Sequence, residues 1–394
     1  MHELGVELLR HASDVTVVTT SHQISRPVHI SREEGVRVIR VRTPQIKGAS
    51  HVKRAINEMR LSSIVRKSAW AYLVDSPADL IVFYSPSIYW TGFVRVLKKM
   101  WGCSAYLILR DIFPEWAADL GVINRGFLYR LFRRHAIQQY DSADFIGVQS
   151  PGDIGYFRAR YPGIRKPLEI LHNWACNGGF RHFKTDYRER LGLAGKVVFV
   201  YGGNLGLAQD VDNLLRLAGS MPDERFGFVF VGEGSESARV VKAIQEKDLR
   251  NARYLPAVGQ SEFLAMISEF DVGLVSLDRR LTSHNIPGKI FSYFVAGIPV
   301  LASVNANSDL FGLLDSNHAG ICVANGEDAK FRAAACQLAE NQALRSKLGT
   351  NGRLLLAKKF SVEAAANQIM EHFSLRTRAF RFDSSIAECA RASR

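Results

Sequence analysis

Three glycines in five residues, Gly202, Gly203 and Gly206, follow the apolar run Val197–Tyr201 and precede a helix predicted to begin near Gln209. Glycines at such a place let backbone N–H groups approach an anion at the positive end of a helix, so the chemistry this loop offers is phosphate binding. The spacing is not G-x-G-x-x-G, and no Gly-Lys-Ser/Thr follows to make a P-loop. A second stretch, Thr282–Val300, sets a polar loop before Pro287-Gly288-Lys289 and a helix that ends at Gly297. A lysine in the first turn of a helix opposes the helix dipole and needs an anionic partner to be favourable there. If both stretches follow the carboxyl ends of parallel strands, they face one crevice. Gly202, Gly203, Asn204, Gly206, Gln209, Gly288 and Lys289 would then form a diphosphate cradle. The plainer alternatives are a tight turn with nothing bound and a lysine that is simply exposed.

Two acidic features need weighing. Arg110-Asp111 closes the apolar run Leu107–Leu109 and is followed by Ile112-Phe113-Pro114-Glu115. Charges at the end of a buried strand are costly unless paired or functional, so Arg110 and Asp111 are either a structural pair or site residues. Asp210-Val211-Asp212 has the D-x-D spacing that could chelate a divalent ion. It opens a helix, however, where acidic side chains are favoured by the dipole, and no His/Asp/Glu cluster has ligand spacing. No metal is expected. Five dispersed cysteines form no C-x-x-C pair, which excludes a zinc ribbon and a disulfide scaffold and fits a reducing compartment.

The elements that must position these residues alternate along the chain. Short β-branched or apolar runs at 14–20, 36–41, 79–84, 105–110 and 145–149 are separated by amphipathic stretches. A second series occupies 197–201, 226–231, 272–277, 299–303 and 320–323. Strands alternating with helix-length segments predict parallel sheets covered on both faces, hence an α/β chain of two doubly wound, Rossmann-like domains. The 394 residues suit two domains of roughly 150–200 each. Boundaries fall at 1–180 and 187–361, with a linker across 172–187. From Glu327 the chain reads as helices to about Phe373, and 362–394 is a C-terminal helix with a basic tail that frays beyond 374. The first element, a helix over 2–10, has no preceding strand and loop, which predicts that the first strand of the N-terminal domain is missing and either that Met1 is internal to a longer frame or that the natural chain is truncated.

The net charge of +13 is uneven: residues 1–186 carry 26 Lys and Arg against 16 Asp and Glu, whereas 187–361 carry 20 against 18. Lys53, Arg54, Arg60, Arg66 and Lys67 share a segment with Ile56, Met59, Ile64 and Trp70, and Arg130, Arg133 and Arg134 interleave with Phe127, Tyr129 and Phe132. Such segments can lie on an anionic membrane surface, unless the apolar residues are core. Nucleic acid is disfavoured because no recognition motif accompanies the charge. No apolar run approaches a membrane span, and no leader is visible at Met1, so a cytoplasmic protein is the expectation.

The stretches from Met1-His2-Glu3-Leu4 through Arg110–Glu115, Leu171-His172-Asn173-Trp174, Gly202–Gly206, Val231-Gly232-Glu233-Gly234 and Pro287–Val300 together resemble the retaining GT-B glycosyltransferases of family four. Within it, His284–Lys289 is most similar to the WbuB-type N-acetylfucosaminyl transferases of O-antigen and capsule assembly. The resemblance implies two Rossmann-like domains, no cofactor or metal, and a nucleotide-sugar donor, UDP-linked, held by the second domain. It implies a polyprenyl-diphosphate-linked glycan acceptor on the first domain, at the inner face of the cell membrane. Arg110, Asp111 and His284 become catalytic candidates. Gly202, Gly203, Asn204, Gly206, Gln209, Gly288, Lys289 and Ser292 become donor contacts, with the 202–206 amides among them. The chain departs from the family pattern: Asn204 and Gln209 stand where it carries Arg and Lys, and His284 and Ser292 where it carries two Glu. Lys289 is left as the main cation. A nucleotide-sugar epimerase of the same architecture, and a non-catalytic protein that kept the fold, are the competing functions.

Overall fold

The computed structural model describes residues 1–12, 14–45, 51–85, 87–175, 185–284 and 286–372, without the side chains of 51–56. The first domain holds β1 (Thr16–Ser21), β2 (Val28–Glu33), β3 (Val36–Arg42), β4 (Leu80–Tyr84), β5 (Ser104–Ile108), β6 (Phe145–Val148) and β7 (Leu168–Ile170). They form two sheets, β1-β3-β2 and the parallel β4-β5-β6-β7. β2 pairs antiparallel with β3, a departure from the all-parallel expectation. Glu34 (φ 48°) and Gly35 (φ 87°) make a two-residue turn with both φ positive, which folds the chain straight back on itself. Among the described residues no strand pairs with the second edge of β1 or of β4.

Shared helices nevertheless hold the two sheets in one layer. On one face the helix His2–Leu9 packs Leu4 with Tyr106 and Ile108 of β5, while its Gly5 lies against Val17 and Val36. On the other face Ile39 and Val41 of β3 share a core with Ile81 and Phe83 of β4, under the helices His51–Leu73 and Thr91–Trp101.

The second domain has one six-stranded parallel sheet. Its strands are β8 (Val197–Gly202), β9 (Phe226–Val231), β10 (Ala252–Leu255), β11 (Val272–Ser276), β12 (Val300–Val304) and β13 (Gly320–Ala324), in the order β10-β9-β8-β11-β12-β13. The central strands are apolar at nearly every position because helices cover both faces. The order reverses beside β8, and the crevice at such a switch point is where ligands bind an open α/β sheet. Both Rossmann-like domains of the sequence reading are present. The short edge strands β7 and β10 are additions to it.

Residues 187–361 do not end the packing. The chain crosses between domains twice, and the crossings touch: Ala175 and Ser361 form a parallel bridge. The helix over 362–372 then lies on the first domain, where Ala365, Ala366 and Ile369 join Leu4, Tyr106, Ile108 and Leu171. His372 Nε2 lies 2.7 Å from Glu169 Oε2, and its ring stacks 4.0 Å from that of Phe145. Most of the expected linker and the tail beyond 372 fall outside the described residues, as do the side chains of Lys53, Arg54 and Ile56. Ile64 packs into the core, while Met59, Arg60, Arg66 and Lys67 are exposed.

Candidate active site

The glycine loop is built by β8 and β9 ending side by side. Gly203 (φ +117°) and Gly232 (φ +143°) occupy backbone conformations open to glycine. A Cβ on Gly232 would lie 1.9 Å from the Gly203 carbonyl oxygen, and one on Gly234 2.1 Å from that of Leu205. Val231-Gly232-Glu233-Gly234 is therefore the second half of the loop, a role its spacing did not reveal. The same closeness changes the expected chemistry. Gly202 N–H donates to Tyr293 Oη (3.0 Å), Gly203 N–H to the Val231 carbonyl (2.9 Å), Leu205 N–H to the Glu233 carbonyl (3.0 Å) and Gly206 N–H to Gln209 Oε1 (3.1 Å). Four of the five loop amides are spent inside the protein. The reading of the 202–206 amides as diphosphate donors is corrected accordingly: the β9 side takes the Gly203 and Leu205 amides, the Tyr293 hydroxyl takes that of Gly202 and the Gln209 side chain that of Gly206. Among the described residues the exposed face of Gly203 remains open, with only Lys289 Cε within 4 Å of where a Cβ would stand.

Lys289 is the cation at that face. It begins the helix Lys289–Ala296, with Gly288 before it. Its Nζ donates to Tyr201 Oη at 2.5 Å and sits 3.7 Å from the centre of the same ring. Tyr201 Oη in turn donates to the Asn204 carbonyl (2.7 Å). No carboxylate is among these partners, and burial pushes the Lys289 ammonium down to about 7. An anion brought to this place would restore its charge. Sequence reasoning placed Lys289 and Gly203 together correctly and missed Tyr201, whose position at the end of an apolar strand reads as core. Asn204 Nδ2 donates to Gln209 Oε1 (3.0 Å), so these two side chains close the loop on each other. Ser292, half-buried, follows Lys289 by three residues and so lies on the same helix face.

The first domain meets this site through Asn173, whose Nδ2 stands 3.2 Å from the Cβ position of Gly288. A cavity of about 330 Å³ opens there, lined by Met1, His2, Glu3, Tyr84, Asn173, Trp174 and, from the second domain, Gln260. Arg110 is buried and does not pair with Asp111. Its guanidinium donates to the carbonyls of Leu171 (2.6 Å) and His172 (3.1 Å) and lies 5.0 Å from the Trp174 ring centre. It thereby braces the segment that carries Asn173, and burial lowers its pKa to about 10. Asp111 is left at the end of β5 with its carboxyl raised by burial, against which Arg110 acts only from a distance. Glu115 is fully buried, accepting from Tyr129 Oη (2.9 Å) and Tyr161 Oη (3.0 Å).

His284 lies where the domains press together. Its Nδ1 is 3.6 Å from Asp309 Oδ1, and its ring occupies the space a Cβ on Gly152 would need. Asp309 Oδ2 also accepts from Gly152 N–H at 2.7 Å, across the domain boundary. Asp210 and Asp212 part company: Asp210 Oδ2 accepts from Asn325 Nδ2 (2.9 Å), and Asp212 pairs with Arg239. Among the described residues no group of three His, Cys, Asp or Glu is placed to hold a metal ion.

Comparison with known proteins gives this geometry a context. Sucrose-phosphate synthase from Thermosynechococcus elongatus superposes with a TM-score of 0.76 at 18% identity, covering 96% of this chain and 92% of that one. The Anabaena protein HepE, in complex with UDP-glucose, superposes with a TM-score of 0.61 at 15% identity over 80% of this chain and 82% of that one. The chain has the GT-B fold. Residues 183–355 of this GT-B chain, nearly all of the second domain, match the family Glycosyl transferases group 1. The probable glycosyltransferase WbjE of Pseudomonas aeruginosa is 25% identical over 266 residues, 66% of this chain and 64% of that protein. The putative colanic acid biosynthesis glycosyl transferase WcaI of Escherichia coli K12 is 25% identical over 257 residues, 62% of each. The matched region spans a little under two thirds of the length of these curated relatives.

Proposed function

We propose that this protein is a metal-independent, retaining glycosyltransferase of bacterial surface polysaccharide assembly. The donor is a UDP-linked sugar of the N-acetylated deoxy amino class, and the acceptor is a polyprenyl-diphosphate-linked glycan at the inner, cytoplasmic face of the cell membrane. The observation that carries the reading is Lys289: a half-buried ammonium with no carboxylate partner among the described residues, at the open side of Gly203 in the crevice of the group 1 domain. A departing nucleoside diphosphate gathers negative charge, and a preorganised cation in a desolvated site stabilises that charge most as it develops. Gly203, Gly288 and Ser292 line the approach, and the Asn204–Gln209 pair fixes the loop. On the first domain, Asp111 is proposed to orient the acceptor hydroxyl. Arg110 and His284 act as positioning residues, the first by holding the Asn173 segment and the second by seating one domain on the other.

The named activities of WbjE and WcaI and the UDP-glucose held by HepE support this reading. The test is titration with UDP-glucose, which probes the diphosphate site and has no titrating diphosphate proton near neutral pH, followed by transfer assays that pair UDP-linked N-acetylated deoxy amino sugars with lipid-linked acceptors. Donor binding that weakens in Lys289→Met, with transfer that needs the acceptor, establishes the reading. Isomerised donor without acceptor would instead make the protein an epimerase, and binding without either reaction a non-catalytic protein.

A further inference from the structure

The helix Phe127–Ser142 begins at the rim of the interdomain cleft. Just before it, the Leu120 carbonyl accepts from Arg280 (3.3 Å) and Asp119 Oδ2 accepts from Thr282 (2.5 Å), both contacts to the second domain. The alternation of arginine and aromatic residues along this helix is not one surface. Tyr129 turns inward to Glu115, Phe132 joins the first-domain core, and Arg133 reaches the Arg160 carbonyl. What remains outside is a compact group. Phe127 is 79% exposed, the most exposed large apolar side chain among the described residues, beside Leu128 at 57% and Val122 at 44% on the preceding turn. Arg130 and Arg134, three and seven residues after Phe127, are exposed on its side of the helix. Arg125, exposed between Val122 and Phe127, is held in place by Asp119 and the Tyr129 ring.

We propose that Val122, Phe127 and Leu128 insert into the headgroup boundary of an anionic bilayer while Arg125, Arg130 and Arg134 engage its phosphates, so that the cleft opens onto the membrane. The inference rests on the reading of the protein as a transferase with a lipid-linked acceptor and names the surface that reaches it. Apolar side chains ringed by cations match an interface that is apolar below and anionic above. A second copy is a poor occupant, because it brings another +13 of net charge to a basic face.

The experiment is co-sedimentation with phosphatidylcholine vesicles, with and without phosphatidylglycerol, together with the emission of Phe127→Trp. The full chain should bind the anionic vesicles, with a blue shift of the tryptophan and release on raising salt from about 0.1 to about 1 M, where the Debye length falls from ~10 to ~3 Å. The double variant Phe127→Ser, Leu128→Ser should weaken binding about tenfold or more, since two large apolar groups stay in water. Arg130→Gln with Arg134→Gln should erase the preference for anionic lipid. Undiminished binding by the serine variant, no binding by the parent chain, or a vesicle-free dimer that the serine variant abolishes would each overturn the proposal. UDP-glucose binding by the same samples is read in parallel. If it persists while vesicle binding fails, the docking surface alone is wrong; if it is absent, the transferase reading is what fails.

Discussion

The two domains solve the same architectural problem differently. In the second, the central strands β8, β9, β11 and β12 are almost wholly buried, and positive and negative side chains nearly balance. In the first, β1 is half-buried along its whole length, the strands fall into two sheets, and residues 1–186 carry an excess charge of +10. The second domain spends four of its five glycine-loop amides on itself and sets Lys289 at the open face of Gly203. The first presents a surface. A compact, charge-balanced domain suits a small ligand held by a rigid loop, whereas a basic, outwardly apolar one suits a large partner met across a face.

The sharpest way to break this contrast is through glycine. Gly232→Ala should destabilise the second domain by about 3 kcal/mol or more, because a Cβ there meets backbone and the positive φ adds strain. Gly155→Ala, in an exposed turn of the helix Pro151–Arg160 with nothing near its Cβ position, should instead stabilise by about 0.5–1 kcal/mol. Urea unfolding of both variants checks the pair, and equal effects would mean that the loop is not the rigid element described.

Next comes Lys289→Met, expected to weaken UDP-glucose binding by about 1.5–3 kcal/mol with little loss of fold. The sign of the pH effect follows from the depressed pKa. The free ammonium is charged below about 7 and neutral above it, and the diphosphate requires the charged form. Affinity should be level below pH 7 and fall above it, by up to about tenfold per unit. Calorimetry in buffers of different ionisation enthalpy should show proton uptake on binding. In the methionine variant the slope and the uptake both vanish.

Arg110→Lys tests the first domain's share. Losing the guanidinium's two carbonyl contacts should cost about 1–2 kcal/mol of stability. Acceptor KM should rise and donor affinity stay unchanged, since the lysine lies outside the donor crevice. A selective fall in donor affinity would move Arg110 into the donor site. The smallest expected effect is that of chelation: transfer in EDTA should equal transfer in magnesium, and restoration by a divalent ion would return Asp210 and Asp212 to consideration.

The legible parts of this molecule were those written in local pattern. The continuous apolar runs at 197–201 and 226–231 announce buried parallel strands, and a glycine cluster after one of them places a loop at the sheet's carboxyl edge. That topology alone brings Lys289 to Gly203. What depends on register was hidden. The commitment of the loop amides requires knowing that Gly203 lies beside Val231, and Tyr201 joins Lys289 only because its ring lies under that side chain. The turn at Glu34-Gly35 concealed an antiparallel strand because its polar residues read as loop. Along 127–134 the arginines looked alike, yet helix geometry sends Arg133 inward and Arg130 outward.

The helix over 362–372 carries a consequence for the order in which the protein is made. Leu4, Tyr106, Ile108 and Leu171 gain their cover from Ala365, Ala366 and Ile369, which leave the ribosome nearly two hundred residues after Leu171. At ordinary synthesis rates that interval is on the order of 10–40 s. The first domain must wait through it with an apolar face uncovered, while the second domain is translated and folds to completion. Birth order and finishing order are thus reversed in this chain. The half that emerges first is the half that finishes last, and its final contacts close only after its neighbour is already built.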